Sequence, residues 1–276
     1  MEFEEIHDIC YVPNGHARQK LDLYLPAKGP VLRPVIVYIH GGEWRFGSKE
    51  SELRPKHFKG IKYAVASLNY RLSMDAPFPA ALEDCKAAIR WLRANDETYR
   101  LDSECFLAWG EAAGGHLAAL LGTTGDIKDF DVGEHLDISS AVQGVVAYYP
   151  SVDFLLMDSQ ALPGSQQHNH PNSAESKFIG GPISENLDKV KRANPITYIT
   201  PSTCPFLVAH GTEDRLIPFP QSELLVAALR EAGVPVIFYQ VEGADHFFSC
   251  VSPEMRTNLQ AVTDRFIDEL YTGADL

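Results

Sequence analysis

Residues 109–116 read Trp109-Gly110-Glu111-Ala112-Ala113-Gly114-Gly115-His116. The apolar residues 105–109 before them predict a short strand, and the apolar periodicity of residues 113–121 after them predicts a helix. Strand, sharp turn and helix in immediate succession are the setting of a nucleophile elbow, whose pattern is G-x-S-x-G. Gly110 and Gly114 stand where that pattern needs them, because the apex residue sits in a strained turn and side chains flanking it would clash. Gly114 and Gly115 let the helix begin close to the strand, with its free N–H groups and positive dipole end aimed where an oxyanion would form. The apex itself is Ala112. Three explanations compete: a serine-to-alanine replacement made to trap a substrate, a natural loss of the nucleophile, and a chance glycine-rich turn. The first is preferred, since alanine removes the hydroxyl and leaves the backbone alone, and the rest of the chain argues against the third.

Outward from the elbow, buried strands and amphipathic helices alternate. Leu21, Leu23 and Leu25 alternate with Asp22 and Tyr24 as in a strand, and with residues 5–11 they suggest an antiparallel start. Residues 34–39 and 63–68 are continuous apolar runs of the kind that are covered on both faces. A helix is predicted over residues 80–92, strands over 142–148 and 205–209, a helix over 222–231 ended by Gly233, a last strand over 234–241, and a closing helix carrying Met255, Leu259, Val262, Phe266 and Leu270. This order predicts one α/β domain over residues 1–276, with a mostly parallel central sheet flanked by helices on both faces and antiparallel N-terminal strands. Residues 150–194, rich in Ser, Asn, Gly and Pro, interrupt the alternation on the C-terminal side of a strand. They are expected to be a lid or substrate-facing loop insertion.

Three further strings fall at predicted strand ends. His40-Gly41-Gly42-Glu43-Trp44 follows a buried strand, and its glycines allow backbone N–H groups to turn toward a carbonyl oxygen. The backbone N–H groups of Gly42, Glu43 and Ala113 are the candidate oxyanion donors, with the Glu43 side chain and Trp44 at the pocket rim. Asp214, in His210-Gly-Thr-Glu-Asp214, is the candidate acid, with Glu213 its local rival. His246, in Glu242-Gly-Ala-Asp-His246-Phe-Phe, is the candidate general base and then acid, held in the right tautomer by Asp214. Asp245 beside it reads as a loop cap, and Glu111 as a hydrogen-bonded structural carboxylate. Trp44, Glu111 and Phe247 are the candidate substrate contacts. His168-Asn-His170 lacks carboxylate or Cys partners at metal-binding spacing and reads as a solvated loop. His7, His16, His57, His116 and His135 have no motif that calls for a ligand or catalytic role.

Composition narrows the functions further. The chain has 276 residues, 45% of them hydrophobic, and a formal charge of −13 with no basic cluster. Nucleic acid is therefore not an expected partner. No run of about 18 apolar residues marks a membrane span. The five cysteines are scattered without a CxxC, and the acidic N-terminus lacks an apolar signal core. A cytoplasmic location is expected, unless a leader has been removed. Oligomeric state is not legible.

Taken together, these strings resemble the α/β-hydrolase superfamily, in particular a carboxylesterase branch related to the hormone-sensitive-lipase type. The stretches Phe178-Ile-Gly-Gly-Pro-Ile183 and Ala193-Asn-Pro-Ile-Thr-Tyr198 are similar to its feruloyl and acetyl xylan esterase-like group. The resemblance runs from Arg18 to His246 and departs from the family at Ala112. It implies a serine esterase acting on a small-molecule carboxylic ester through an acyl-enzyme, with no metal or organic cofactor, and this chain as its inactive, substrate-trapping form. A kynurenine formamidase-like amidase and a non-catalytic ligand-binding homologue are the alternatives.

Overall fold

The computed structural model describes residues 3–26, 32–51 and 63–273, so His57 lies outside the described residues. The strands are β1 (Phe3–Cys10), β2 (Lys20–Pro26), β3 (Arg33–Ile39), β4 (Ala64–Leu68), β5 (Leu101–Glu111), β6 (Gly144–Tyr148), β7 (Phe206–Gly211) and β8 (Val236–Val241). The helices are α1 (Ala80–Ala94), α2 (Asp96–Tyr99), α3 (Ala113–Thr123), α4 (Met157–Gln160), α5 (Ala174–Ile179), α6 (Leu187–Ala193), α7 (Pro220–Glu231) and α8 (Pro253–Thr272). All eight strands join one sheet in the order β1-β2-β4-β3-β5-β6-β7-β8. β1 with β2 and β2 with β4 are antiparallel, and every later pair is parallel.

The period-2 geometry of the strands divides the core into two layers. Val35, Val37 and Ile39 face a cluster that includes Leu82, Cys85, Ile89 and Leu92 of α1, Leu117 and Leu120 of α3 and Leu225 and Leu229 of α7. Ile36 and Tyr38 face the opposite cluster, which holds Leu259, Phe266 and Ile267 of α8. The central strands are therefore covered on both faces, as their continuous apolar runs predict. β2 is covered on both faces too. Leu21, Leu23 and Leu25 join the first layer, while Asp22 is buried on the other side between Lys49 (2.9 Å) and His7 (3.0 Å). A paired charge takes the place of solvent there.

Residues 150–194, expected to be a lid or substrate-facing loop insertion, are built of short helices. They carry α4, α5 and α6 and bury Phe154, Met157, Phe178, Ile179, Ile183 and Val190. Their polar and glycine residues work as caps: the Ser173 hydroxyl accepts from the Ser176 N–H at the start of α5, and Gly180 ends it at φ +83°. Helices this short leave no readable periodicity, which is why the composition alone looked like loop. Gln221 of α7 anchors the start of the segment, its Oε1 accepting from the N–H groups of Val152 (2.8 Å) and Asp153 (2.7 Å).

The chain leaves β3 toward β4 on one side and returns to β5 on the other. The carboxyl ends of β3 and β5 thus flank a topological switch point, where open α/β sheets bind their ligands. Among the described residues no helix is long and apolar enough to cross a membrane.

Candidate active site

β5 ends in Glu111, α3 begins at Ala113, and Ala112 between them has φ +49° and ψ −116°. A non-glycine residue held there is strained and persists only when its surroundings over-determine it. The surroundings do so. The Ala112 N–H donates to the Tyr148 carbonyl at 2.9 Å, and its carbonyl accepts from the His116 N–H at 2.9 Å. A Cβ on Gly110 would run into the Gly114 carbonyl oxygen, and one on Gly114 would run into the Ile39 carbonyl oxygen. Both glycines are therefore required for strand and helix to close on each other.

The loop after β3 lies directly against this turn. A Cβ on Gly41 would stand 2.9 Å from the Glu111 carbonyl oxygen and 3.6 Å from the Ala112 Cβ. Gly42, Glu43 and Trp44 then take positive φ in succession, and the turn closes with Arg45 and Phe46 N–H groups donating to the Gly42 carbonyl, both at 2.9 Å. Among the described residues, the turn hydrogen bonds of the two loops engage the N–H groups of Arg45, Phe46, Ala112 and His116 rather than those of Gly42, Glu43 and Ala113. His40 holds the loop from beneath. Its Nδ1 is 2.7 Å from the Gly41 carbonyl, the Arg18 guanidinium meets its Nε2 at 3.2 Å, and its ring stacks on Tyr70. Burial pushes its pKa down to about 4, so the ring is neutral, donating at Nδ1 and accepting at Nε2.

Asp214 follows β7 and His246 follows β8. His246 Nδ1 is 2.6 Å from Asp214 Oδ2, while Asp214 Oδ1 accepts from the N–H groups of Leu216 (2.8 Å) and Ile217 (2.9 Å). Burial alone would raise the Asp214 carboxyl. Hydrogen bonds and electrostatic attraction from His210 and His246 outweigh it and hold the group well below the usual carboxylate range. Glu213, the rival, is exposed and reaches neither histidine; its N–H donates to the Ala244 carbonyl. Asp245 turns away to accept from the Ser249 N–H at 2.7 Å, as a loop cap does. His210, unremarked in the sequence, is a second buried partner of Asp214 at 3.1 Å and is itself fixed by Ser222 Oγ at 2.7 Å.

Ala112, Ala113, Gly42, Glu43, Glu111 and His246 all line one cavity of about 290 Å³. Trp44 and Phe247 line it as well, but differently from each other. Phe247 is 56% exposed and stands at the mouth beside His246. Trp44 is not at the rim: it is buried, stacked on Phe178 at 4.5 Å and packed edge-on against His116 and Phe154. Glu43 does lie outward, paired with Arg45 at 3.5 Å. Glu111 is buried, with the Tyr38 hydroxyl 3.5 Å from its Oε2, and burial pushes its pKa up to about 8.

The cavity also contains residues that sequence reasoning placed elsewhere. His168 is not solvated. It is buried in the cavity wall, with Nδ1 2.9 Å from Glu175 Oε1, whereas His170 is exposed. Tyr149, tilted against the His246 ring at 4.5 Å, Ser151 and Gln166 line the cavity too. No motif marks these residues; only the path of residues 149–175 over the carboxyl ends of the strands brings them in.

Residues 21–229 match the BD-FAE family. The chain belongs to that family. This BD-FAE member is 30% identical over 274 residues to the esterase LipQ of Mycobacterium tuberculosis (strain ATCC 25618 / H37Rv), a match covering 96% of this chain and 62% of that one. The chain spans about three fifths of the length of the first curated relatives it matches. Among solved structures, it is similar to a truncated form of a carbohydrate esterase from gut microbiota. The TM-score is 0.84 with 27% identity, covering 98% of this chain and 96% of that one. It is similar also to the butyrate-bound esterase Est2 of Thermogutta terrifontis, with a TM-score of 0.72, 26% identity, and coverage of 98% of this chain and 94% of that one. With its sheet order and helix layers, the BD-FAE chain has the α/β-hydrolase fold.

Proposed function

We propose that the active form of this domain is a serine carboxylesterase, and that Ala112 replaces its nucleophilic serine, leaving a chain that binds ester but does not turn it over. The observation that carries the reading is the backbone of Ala112. A strained φ of +49° is maintained at the apex of the elbow, in the same cavity as His246, by a residue with no hydroxyl to present. The His246–Asp214 pair at 2.6 Å supports it, because His246 lines the cavity that Ala112 lines and Asp214 holds its Nδ1 from behind. The relatives are named for ester hydrolysis, which favours an ester over a formamide.

In this mechanism a serine Oγ at position 112 attacks the ester carbonyl carbon as His246 Nε2 takes its proton. The oxygen becomes an anion facing the N–H groups of Gly42, Glu43 and Ala113. Collapse breaks the ester C–O bond, and His246 returns the proton to the departing alcohol. Water then attacks the acyl-enzyme with His246 again as base, releasing the acid and restoring the serine. Asp214 stays ionised throughout and stabilises the imidazolium. Glu111, Trp44 and Phe247 bound the space in which the ester sits, and residues 150–194 form one wall of it.

The test is Ala112→Ser followed by a p-nitrophenyl acetate assay. Loss of a serine nucleophile costs on the order of 10⁶ in kcat, so the gain should be of that size. A variant that folds and hydrolyses no faster than the parent chain would overturn the reading in favour of a non-catalytic binding protein.

A further inference from the structure

The three candidate oxyanion donors have one feature in common besides their place on the cavity. Each N–H belongs to a peptide group whose carbonyl is hydrogen-bonded from behind. The Glu43 N–H shares its peptide with the Gly42 carbonyl, which accepts from the Arg45 and Phe46 N–H groups, both at 2.9 Å. The Ala113 N–H shares its peptide with the Ala112 carbonyl, which accepts from the His116 N–H at 2.9 Å. The Gly42 N–H shares its peptide with the Gly41 carbonyl, and there the donor is a side chain, His40 Nδ1 at 2.7 Å. Two of the donors are thus braced by backbone, and the third by a residue whose own partner is a cation.

That cation is Arg18, in the connection between β1 and β2. Its Nη2 is 3.2 Å from His40 Nε2, 3.0 Å from the Gly47 carbonyl and 3.4 Å from Asn69 Oδ1, and its Nε donates to the Tyr70 carbonyl at 2.8 Å. All four acceptors are uncharged, so these contacts leave the guanidinium charge unneutralised. The two neighbours of the His40 ring fix its tautomer. A guanidinium only donates and a carbonyl only accepts, so Nε2 carries the lone pair and Nδ1 the proton. The ring is held in that orientation by stacking on Tyr70 at 4.4 Å. Gly47 packs against the Nδ1 side: a Cβ there would stand 2.5 Å from His40 Nδ1 and 2.7 Å from the Gly41 carbonyl oxygen. A side chain at position 47 would therefore intrude on the very bond that joins His40 to the loop.

We infer that Arg18 and His40 form a polarising relay that makes the Gly42 N–H a stronger donor to the oxyanion. The guanidinium draws electron density from His40 at Nε2, so Nδ1–H donates more strongly to the Gly41 carbonyl. The carbonyl in turn draws density from the nitrogen of its own peptide, which is the Gly42 nitrogen. No proton moves along the relay. Both side chains are positioning residues, acting through the Gly42 N–H rather than on the ester. Hydrogen bonds in series strengthen one another by roughly 10–30% per bond. An oxyanion donor contributes roughly 10²–10³ to kcat, and the upper share of that free energy corresponds to about 4- to 8-fold. The effect on rate rests on the esterase reading, whereas the polarised peptide is a property of the chain with Ala112 as it stands.

NMR on the isotope-labelled chain tests the relay without catalysis. A long-range nitrogen–proton spectrum of the unmodified chain, which needs no variant to fold, should show His40 protonated at Nδ1 and bare at Nε2 near neutral pH. A proton on Nε2 breaks the relay at its first link and overturns the proposal. Arg18→Gln should then move the Gly41 carbonyl carbon and the Gly42 amide proton upfield, the direction of a weakened hydrogen bond, and leave the Glu43 and Ala113 amides in place. Unchanged Gly41 and Gly42 signals overturn the proposal, and so does a movement of all three amides together, which is what a residue that only holds the loop in shape would give. In the Ala112→Ser background, Arg18→Gln should lower kcat on p-nitrophenyl acetate by about 4- to 8-fold with KM unchanged. An unchanged kcat, or a loss confined to KM, also overturns it. The two readings fail separately: an inactive Ala112→Ser chain whose Gly41 and Gly42 signals respond to Arg18→Gln removes the esterase and keeps the polarised peptide, while turnover with no response in those signals does the reverse.

Discussion

His246 Nδ1 and Asp214 Oδ2 are 2.6 Å apart across 32 residues of sequence, and the carboxylate is fully enclosed. The strands β7 and β8 are parallel neighbours, so the loops leaving their carboxyl ends meet at this point. Asp214 is held from three sides, by two histidines on Oδ2 and two backbone N–H groups on Oδ1. In the Ala112→Ser background, Asp214→Asn should therefore lower kcat on p-nitrophenyl acetate by about 10⁴, because the amide favours the wrong imidazole tautomer. Glu213→Gln should leave kcat within about threefold, a contrast that steady-state kinetics on the two variants reads directly.

Strain at the elbow has a stability consequence. Ala112→Gly relieves the positive φ without filling the cavity, and should stabilise the chain by about 1 kcal/mol. Urea denaturation of the two forms measures it. A larger residue at this position that cannot leave the turn, as in Ala112→Val, should do the opposite.

Glu111 makes stability fall with rising pH. Its pKa is near 4.5 in an unfolded chain and about 8 in the native one, so between those values the native state holds a proton the unfolded state has released. Each pH unit in that window removes about 1.4 kcal/mol at most from this group, and the full cost persists above pH 8. Glu111→Gln should abolish this slope, gaining a few kcal/mol over the parent at pH 8.5 and little at pH 5. Denaturation midpoints at the two pH values test it.

Gly41 separates the two loops that would bind an oxyanion. A Cβ there meets the Glu111 backbone oxygen at 2.9 Å, and backbone cannot yield as a side chain can. In the Ala112→Ser background, Gly41→Ala should displace the Gly42 and Glu43 N–H groups and lower kcat by roughly 10²–10³, with a smaller change in KM. Far-ultraviolet circular dichroism and kinetics together distinguish this from unfolding.

Most of the sheet was legible because its strands are apolar runs bounded by turn residues, and residues 109–116 carried the elbow on two glycines and their spacing. Asp214 could not be separated from Glu213 by sequence, since both carboxylates follow the same strand. Folding separates them by burying one and exposing the other. His168 and Glu175 were out of reach for a different reason. Seven residues apart in a stretch of short helices, they belong to no strand end and no periodic face, and only the docking of residues 150–194 against Trp44 and α7 brings them to the cavity. The same docking hid the helical character of the segment, whose apolar residues are anchored by tertiary contacts rather than by amphipathic repeats.

Trp44 follows the candidate oxyanion residues Gly42 and Glu43 in the chain and is clasped by Phe154 and Phe178 of the insertion. The segment that forms one wall of the pocket and the loop that would stabilise charge are thus mechanically one piece. Exchanging residues 150–194 for those of a relative would not be a modular graft. An insertion lacking aromatic partners for Trp44 would detune the loop after β3, so pocket shape and the candidate oxyanion loop in this scaffold must be engineered together.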